Sequence, residues 1–318
     1  MKSLKYSDIS LVPNYSECHS RADCDPHLDL FGKKFKLPIV PANMKSVIDL
    51  NISKWMSEND YFYIMHRFNR NLADDVGLAN SENWKTISFS VGVKLKDKLQ
   101  VTNIGKNANL RLDFITIDIA HGHCKRMQMM IKHIKKHLPN TKIIAGNVAT
   151  PNAVADLSAW GADIIKVGIG QGSPCTTKDK TGFTIPMFTC VKKCSIVSFQ
   201  LGVPIIADGG VKSNGDIAKA IVAGARAVMA GGLFAACKDS AAASKTINGV
   251  NHKAYFGSAS AENKGHNNNI EGKLTNICGN NMSFREKLEE IKQDIQSSIS
   301  YSGGRALDSL ENVNYIEV

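Results

Sequence analysis

One cysteine in a glycine-rich loop is the residue of this chain best suited to covalent chemistry. Cys175 ends the run Gly168-Ile-Gly-Gln-Gly-Ser-Pro-Cys175, and Thr177 lies two residues beyond it. A thiolate is a good covalent nucleophile, and a nearby hydroxyl can relay a proton. The closely spaced glycines let the backbone bring its amides and carbonyls against a ligand or an ion. The alternative is a turn with a buried cysteine, and the loop alone leaves both interpretations open.

The loop follows a predicted strand, and seven other segments have the same short, apolar, β-branched character. The eight predicted strands span residues 37–43, 61–66, 86–91, 114–120, 142–147, 163–167, 204–208 and 226–230. Helical periodicity and capping residues fill several of the connections, at 48–59, 124–138, 150–160 and 214–223. This alternation predicts one α/β domain, a (β/α)8 TIM barrel over residues 1–318. A doubly wound open sheet is the alternative, but no Gly-x-Gly-x-x-Gly follows the first predicted strand.

Polar residues cluster at the carboxyl ends of the predicted strands, where barrel enzymes place their active sites. They are Asn43, His66, Arg67, Asp118, Asn147, Cys175 and Asp208. Glycine pairs follow the last two strands, at Gly209-Gly210 and Gly231-Gly232. Barrels bind phosphate at these positions through backbone amides, although a glycine pair after a strand is otherwise an ordinary turn.

Two segments do not follow the alternation of predicted strands and helices. Residues 1–36 are irregular, and residues 259–280 are polar, rich in glycine and asparagine, and poorly helical. The second segment predicts a long mobile flap over the strand ends. A helix is predicted from Ser283 to about Ser298, with Ser283 as N-cap and Glu286 completing a capping box.

Composition argues for an enzyme of small ligands rather than a nucleic-acid or membrane protein. The formal net charge is +10, but the basic residues are scattered and not interleaved with aromatics. A positive surface also attracts small phosphorylated ligands. Neither a signal-peptide pattern nor an apolar run long enough to cross a bilayer is evident, and the eight cysteines resemble reduced thiols. We therefore expect a cytoplasmic protein.

Nearly the whole chain resembles the IMP dehydrogenase/GMP reductase family, and within it the compact bacterial GMP reductases. The most specific motif is Gly168-Ile-Gly-Gln-Gly-Ser-Pro-Cys-Thr-Thr177, in which Gln171 replaces the proline that the family usually has. The supporting motifs are Pro41-Ala-Asn-Met44, Asp118-Ile-Ala-His-Gly122, Ala145-Gly-Asn-Val148, Ala207-Asp-Gly-Gly210, Gly231-Gly-Leu-Phe234, Tyr255-Phe-Gly-Ser258, Ile270-Glu-Gly-Lys273 and Ser300-Tyr-Ser-Gly-Gly304.

The resemblance implies a reaction and its catalytic residues. NADPH would reduce GMP to IMP with release of ammonia, a step of purine salvage. Cys175 would form a thioimidate with the purine, and Thr177 and Glu271 would protonate the departing amino group.

The resemblance also implies the binding residues. Those for the nucleotide would be Asp208, Gly209, Gly210, Gly231, Gly232, Gly257, Ser258, Asn268 and Gly272, with Asn268 standing where many relatives carry arginine. Those for NADPH would be Ser20, Arg21, Arg67, Asp118, Ile119, Ala120, Ile169, Gly170, Ser297 and Ser300. The residues from Ser297 to Ser300 would act across a subunit boundary, which implies a homotetramer. The carbonyls of Gly170, Gly172 and Cys175 would hold a monovalent cation, K+.

Two other functions are compatible with the same loop. IMP dehydrogenases share the cysteine and the thioimidate, but they need an Arg-Tyr pair in the flap and usually carry an inserted regulatory module. Residues 259–280 contain neither Arg nor Tyr, and the connection after His66 is too short for an inserted domain. A non-catalytic nucleotide sensor on the same barrel is disfavoured because Cys175, Thr177 and Glu271 are all present.

Overall fold

The computed structural model describes residues 2–318. The strands are β1 Ile9–Leu11, β2 Leu28–Leu30, β3 Lys33–Phe35, β4 Ile39–Pro41, β5 Ser88–Val91, β6 Phe114–Asp118, β7 Lys142–Val148, β8 Ile164–Val167, β9 Ile205–Asp208, β10 Ala227–Ala230, β11 Ser244–Ile247, β12 Val250–Phe256, β13 Leu274–Cys278 and β14 Tyr315–Glu317. The α-helices are α1 Leu50–Glu58, α2 Leu72–Ser81, α3 Leu95–Gly105, α4 Lys125–His137, α5 Pro151–Trp160, α6 Thr177–Thr181, α7 Met187–Leu201, α8 Gly215–Val222, α9 Gly232–Ala235, α10 Ala261–Lys264 and α11 Phe284–Tyr301. Short 3-10 helices span Tyr6–Asp8, Arg21–Asp23 and Leu307–Asn312.

Seven parallel strands form the central sheet, in the order β4-β10-β9-β8-β7-β6-β5. Strands β5 to β10 follow one another in chain order, and the first strand, β4, pairs with the last, β10. First and last strands become neighbours only when a sheet curls back on itself, because an open doubly wound sheet leaves them apart. The order confirms the predicted TIM-barrel-like fold and excludes the doubly wound alternative.

The prediction of a regular strand at residues 61–66 is wrong. Within this buried segment, only Met65 makes a β-bridge, to Phe89 of β5. Side chains satisfy the neighbouring backbone instead: the hydroxyls of Ser57 and Tyr63 both donate to the carbonyl oxygen of Thr86, at 2.9 and 2.8 Å. Backbone groups that are hydrogen-bonded in this way are not free to extend a ladder. The segment therefore fills the eighth position of the barrel with side-chain contacts.

The other predicted strands are confirmed within a few residues, and so are the predicted helices, which correspond to α1, α4, α5, α8 and α11. The capping box of α11 is present, since Ser283 and Glu286 each bond the other's backbone amide. The flap is more regular than predicted. Residues 274–278 form β13, which pairs with β12 in a three-stranded antiparallel sheet with β11. Exposed and partly buried residues alternate along β13, which is the pattern of a strand with one covered face.

The barrel strands are buried almost completely, so the core occupies both faces of the sheet. Buried aliphatic residues of β6, β7 and β8 fill the centre, and Phe35, Phe62 and Phe114 pack as an aromatic cluster with ring centroids 5.0–6.4 Å apart. All eight cysteines lie in the described part of the chain and carry free thiols. Between residues 2 and 318, no helix combines the length and the apolarity that a bilayer crossing requires.

Candidate active site

A cavity of about 400 Å³ opens at the carboxyl ends of the barrel strands. This volume is in the range of small-molecule sites. The cavity is lined by the ends of β6, β8, β9 and β10, by the loop after β8, and by the flap. Because parallel strands in a barrel end on the same side, polar residues that are far apart in the chain meet here.

The loop after β8 approaches strand β9 so closely that only glycine fits at its start. Gly168 has a φ of +135°, and a Cβ atom at this position would lie 2.0 Å from the carbonyl oxygen of Asp208. Further along, the Gln171 amide nitrogen donates to the Thr184 hydroxyl at 2.6 Å, and the Gln171 carbonyl accepts the Gly210 amide at 3.2 Å. Where the family usually has a rigid proline, side-chain and backbone hydrogen bonds of Gln171 hold the loop in this chain.

We expect Gly168→Ala to lower the free energy of unfolding by about 3 kcal/mol or more, because it combines an unfavourable φ with an overlap against rigid backbone. Gly202→Ala is the matched control. Gly202 also has a positive φ, of +64°, but a Cβ added there would have no atom within 4 Å. Its substitution should cost only about 1 kcal/mol. Urea unfolding of both variants measures the difference, and equal losses would contradict the steric explanation.

Cys175, Thr177 and Glu271 form a continuous hydrogen-bonded chain. The Cys175 thiol donates to Thr177 Oγ1 at 3.2 Å, and the Thr177 hydroxyl donates to Glu271 Oε2 at 2.7 Å. The direction of the two bonds leads a proton from the sulfur towards the carboxylate. All three residues line the cavity. The geometry therefore joins a nucleophile to an acid–base group through one hydroxyl.

A short piece of β-pairing holds the flap against the cysteine loop. Cys175 bridges Gly272 in antiparallel orientation. The Thr176 amide donates to the Glu271 carbonyl at 2.9 Å, and the Lys273 amide donates to the Pro174 carbonyl at 2.9 Å. Backbone bonds on both sides of Gly272 thus hold Glu271 beside Thr177, although 94 residues separate the two in sequence.

A buried lysine lies at the floor of the cavity. Lys166 on β8 is only 1% exposed. Its ammonium donates to Asp208 Oδ2 at 2.6 Å and to Asn147 Oδ1 at 2.5 Å, and lies 3.1 Å from Asp118 Oδ1. Burial lowers the pKa of Lys166, but the two carboxylates outweigh it and the net shift is upward. For Asp118 burial raises the pKa, and Lys166 and Arg67 reverse the effect, so that the net shift is downward. Both groups are therefore charged at neutral pH.

Sequence reasoning did not select Lys166 as a site residue. The available signal was a charged residue inside the apolar run Ile164-Ile165-Lys166-Val167, since a charge in a buried strand requires partners. Tyr255 was also missed. It lines the cavity with its side chain buried, and a Cβ on Gly231 would lie 2.1 Å from its hydroxyl oxygen. Gly231 is therefore a point of close approach as well as a turn.

The cavity brings together most of the predicted site residues. It is lined by Arg67, Asp118, Ile119, Ala120, Ile169, Gly170, Gly172, Cys175, Thr177, Asp208, Gly209, Gly210, Gly231, Gly232, Gly257, Ser258 and Glu271. Gly272 lies beside it through the bridge to Cys175. His66 lies outside, buried beneath Phe68, and burial lowers its pKa to about 4. Its imidazole is therefore neutral at neutral pH.

Besides Gly272, five predicted binding residues do not line the cavity: Ser20, Arg21, Asn268, Ser297 and Ser300. Arg21 instead contacts α11. Its guanidinium donates to the Ser297 hydroxyl at 3.4 Å and to the Tyr301 hydroxyl at 3.2 Å, and it lies 5.1 Å from the centre of the Tyr301 ring. The N-terminal segment and the end of α11 thus form one surface patch, which is separate from the cavity of the same chain.

The three carbonyls predicted to bind a cation belong to one turn of the cysteine loop. Gly170 has a φ of +75°, and the Gly172 carbonyl accepts the Cys175 amide at 3.0 Å. A carbonyl oxygen has two lone pairs, so this bond leaves Gly172 able to coordinate an ion. Oxygen donors of this kind suit a hard monovalent cation. In residues 2–318 no group of three or more His, Cys, Asp or Glu side chains is arranged to bind a metal.

The chain is similar to known proteins over nearly its whole length. Residues 3–317 match the model of the IMP dehydrogenase / GMP reductase domain. The curated relatives include a protein named GMP reductase from Helicobacter pylori, 46% identical over all of this chain and 97% of its own length. A protein of the same name from Staphylococcus aureus strain JH9 is 46% identical over all of this chain and 97% of its own length. Another, from Leptothrix cholodnii, is 44% identical over 99% of this chain and 96% of its own length. The match covers the barrel, the cysteine loop and the flap together, and the chain belongs to the IMP dehydrogenase/GMP reductase family.

Proposed function

We propose that this protein catalyses the NADPH-dependent reductive deamination of GMP to IMP, with release of ammonia. The overall reaction consumes GMP, NADPH and two protons and yields IMP, NADP+ and an ammonium ion. Relatives that are similar over their whole length carry the name GMP reductase, which supports the choice of substrate. The observation that carries the mechanism is the hydrogen-bonded chain from Cys175 through Thr177 to Glu271.

The thiol of Cys175 passes its proton through Thr177 to Glu271, and the sulfur attacks C2 of the purine. Glu271, now protonated, gives a proton to the 2-amino group, which leaves as ammonia. The product of this step is a thioimidate between Cys175 and the purine. Covalent catalysis of this kind divides one difficult displacement into two easier steps. The flap bridge keeps the acid within reach of the leaving group throughout.

The nucleotide would be held by the strand-end residues that line the cavity. The Asp208 carboxylate would accept hydrogen bonds from the ribose hydroxyls. The backbone amides of Gly209, Gly231 and Gly232, with Gly257 and Ser258, would bind the phosphate. Gly210 would line the nucleotide site without donating its amide, which is bonded to the Gln171 carbonyl. Gly272 and Asn268 would cover the base from the flap side.

When bound, NADPH supplies the hydride that C2 accepts, and the thiolate of Cys175 then leaves as IMP forms. The residues that would contact the nicotinamide line the same cavity as Cys175: Asp118, Ile119, Ala120, Ile169 and Gly170. Arg67 is anchored there, because its Nε donates to the Asp118 carbonyl at 3.1 Å. A guanidinium suits the 2′-phosphate that distinguishes NADPH from NADH.

The patch of Ser20, Arg21, Ser297 and Ser300 would contact the cofactor of a neighbouring subunit in a homotetramer. This placement is supported by the separation of the patch from the cavity of its own chain. A K+ ion held by the carbonyls of Gly170, Gly172 and Cys175 would stiffen the cysteine loop. The protein would be one barrel domain without an inserted regulatory module, acting in purine salvage in the cytoplasm.

The absorbance of the reduced nicotinamide tests the proposal directly. Loss of absorbance with GMP and NADPH, together with stoichiometric ammonia, is the expected result. A gain with IMP and NAD+ would instead identify an IMP dehydrogenase, and no change with either pair would identify a non-catalytic nucleotide sensor. A panel of guanine nucleotides that includes the deoxy form would then define the substrate.

A further inference from the structure

Lys166 is a cation at the floor of the cavity that contacts carboxylates from two different strands. It projects from β8, between β7 and β9, so that Asn147 and Asp208 lie directly beside it, and Asp118 belongs to β6, two strands away in the sheet. Asn147 reinforces the arrangement, since its amide also donates to Asp208 Oδ2 at 2.8 Å. The Lys166 side chain is 2% exposed, and those of Asp118 and Asp208 are 12% and 22% exposed.

The two carboxylates serve different partners if the proposed function is correct. Asp208 would hold the ribose of the nucleotide, and Asp118 would contact the cofactor. On the basis of that function, we propose that Lys166 is a positioning residue that fixes both carboxylates at once. The nucleotide site and the cofactor site then share one buried cation. It touches neither reacting atom and acts through Asp118, Asp208 and Asn147.

The charges around Lys166 explain why its loss would disturb both sites. The groups that face it are Asp118 from β6 and Asp208 from β9, with neutral Asn147 from β7. Arg67, from the segment before α2, acts on Asp118 from the other side. Without the Lys166 ammonium, the carboxylates of Asp118 and Asp208 would share a desolvated space. Arg67 would be the remaining cation near them. The repulsion is relieved by moving a carboxylate away or by binding a proton, and Asp118, the more buried of the two, is the group expected to bind it.

The decisive variants are Lys166→Met, which keeps the chain length without the charge, and Lys166→Arg, which keeps the charge. For Lys166→Met we expect kcat/KM for GMP and for NADPH both to fall by about a hundredfold or more, because both contacts are misplaced. The acidic limb of the pH–rate profile should move to higher pH, because Asp118 would be ionised only at higher pH. Lys166→Arg should recover a large part of both losses.

Lys253→Met is the matched control. Lys253 is as buried as Lys166, but it donates only to the carbonyls of Lys238 and Ala242 and does not line the cavity. Its removal should leave the position of the acidic limb unchanged. A shift of equal size in Lys253→Met would show that loss of any buried lysine causes the effect, and would overturn the proposal.

Isotope-edited infrared spectra of protein labelled at its aspartate carboxylates give a test that needs no turnover. Lys166→Met should show a protonated carboxylic acid at neutral pH that is lost when Asp118→Asn is added. The double variant has the net charge that the cluster of Lys166, Asp118 and Asp208 has in the wild type. It can therefore be measured even if Lys166→Met alone folds poorly.

Three results would overturn the inference: an unchanged pH profile in Lys166→Met, losses confined to one of the two substrates, or a spectrum without the protonated acid. If the wild type does not turn over GMP, the proposed function fails. The infrared result then still decides whether Lys166 holds the carboxylates in their charged state.

Discussion

Cys175→Ala is expected to lower kcat for GMP reduction by more than about a thousandfold while GMP still binds. The substitution removes the only atom that can form the covalent bond to C2, and nucleophiles that act in a concerted set account for losses of this size or larger. The glycines proposed to bind the nucleotide lie at the ends of β9 and β10, outside the loop that carries the sulfur. We therefore expect the Kd for GMP to change by less than about threefold.

Rapid-quench kinetics with labelled GMP, followed by mass spectrometry of the denatured protein, measures the covalent step itself. The wild type should carry the mass of a purine nucleotide on the peptide that contains Cys175, and the variant should carry none. Cys278→Ala controls for the loss of a thiol, since Cys278 is exposed on β13 and outside the cavity. Appreciable turnover by Cys175→Ala would rule out the covalent route.

Glu271→Gln should lower kcat by about a hundred- to ten-thousandfold, the usual contribution of general acid–base catalysis. A glutamine oxygen can still accept the Thr177 hydroxyl, and the backbone pairing around residue 271 does not involve the side chain. The variant should therefore keep its geometry and lose only the group that moves the proton. The affinity for GMP should stay within about tenfold of the wild type.

Parallel measurement of ammonia release and NADPH oxidation locates the affected step. We expect ammonia release to become rate-limiting. Glu262→Gln is the matched control, because Glu262 is an exposed carboxylate of the same flap that does not line the cavity. An unaltered turnover number in Glu271→Gln would remove this residue from the mechanism.

Much of the fold could be predicted because local pattern and burial agree. The strands that become β4 to β10 are short, buried and mostly apolar, as expected for parallel strands covered on both faces. The segment at 61–66 has the same composition, yet it makes only one bridge, because hydroxyls of Ser57 and Tyr63 occupy the backbone carbonyl next to it. No local pattern distinguishes that outcome from a strand, since it depends on where the hydroxyls of Ser57 and Tyr63 meet the carbonyl of Thr86.

The candidate site also has one part that follows from the local sequence and another that depends on tertiary packing. Cys175 and Thr177 are two residues apart in one loop, so their proximity follows from covalent connection. A role assigned by a family motif does not always fit the structure. Asn268 lies in the predicted flap but does not line the cavity. Such placements depend on how the flap packs against the barrel.

The succession of strands along the chain, the cysteine with its neighbouring hydroxyl, and the glycines at strand ends were determined by the sequence itself, because each depends on residues close together in the chain. The tertiary structure alone decided which carboxylate meets Thr177 and which charges surround Lys166. Those contacts join residues on different strands and on the flap. They exist only when curling of the sheet brings the strand ends together and excludes the water that would otherwise solvate each charge separately.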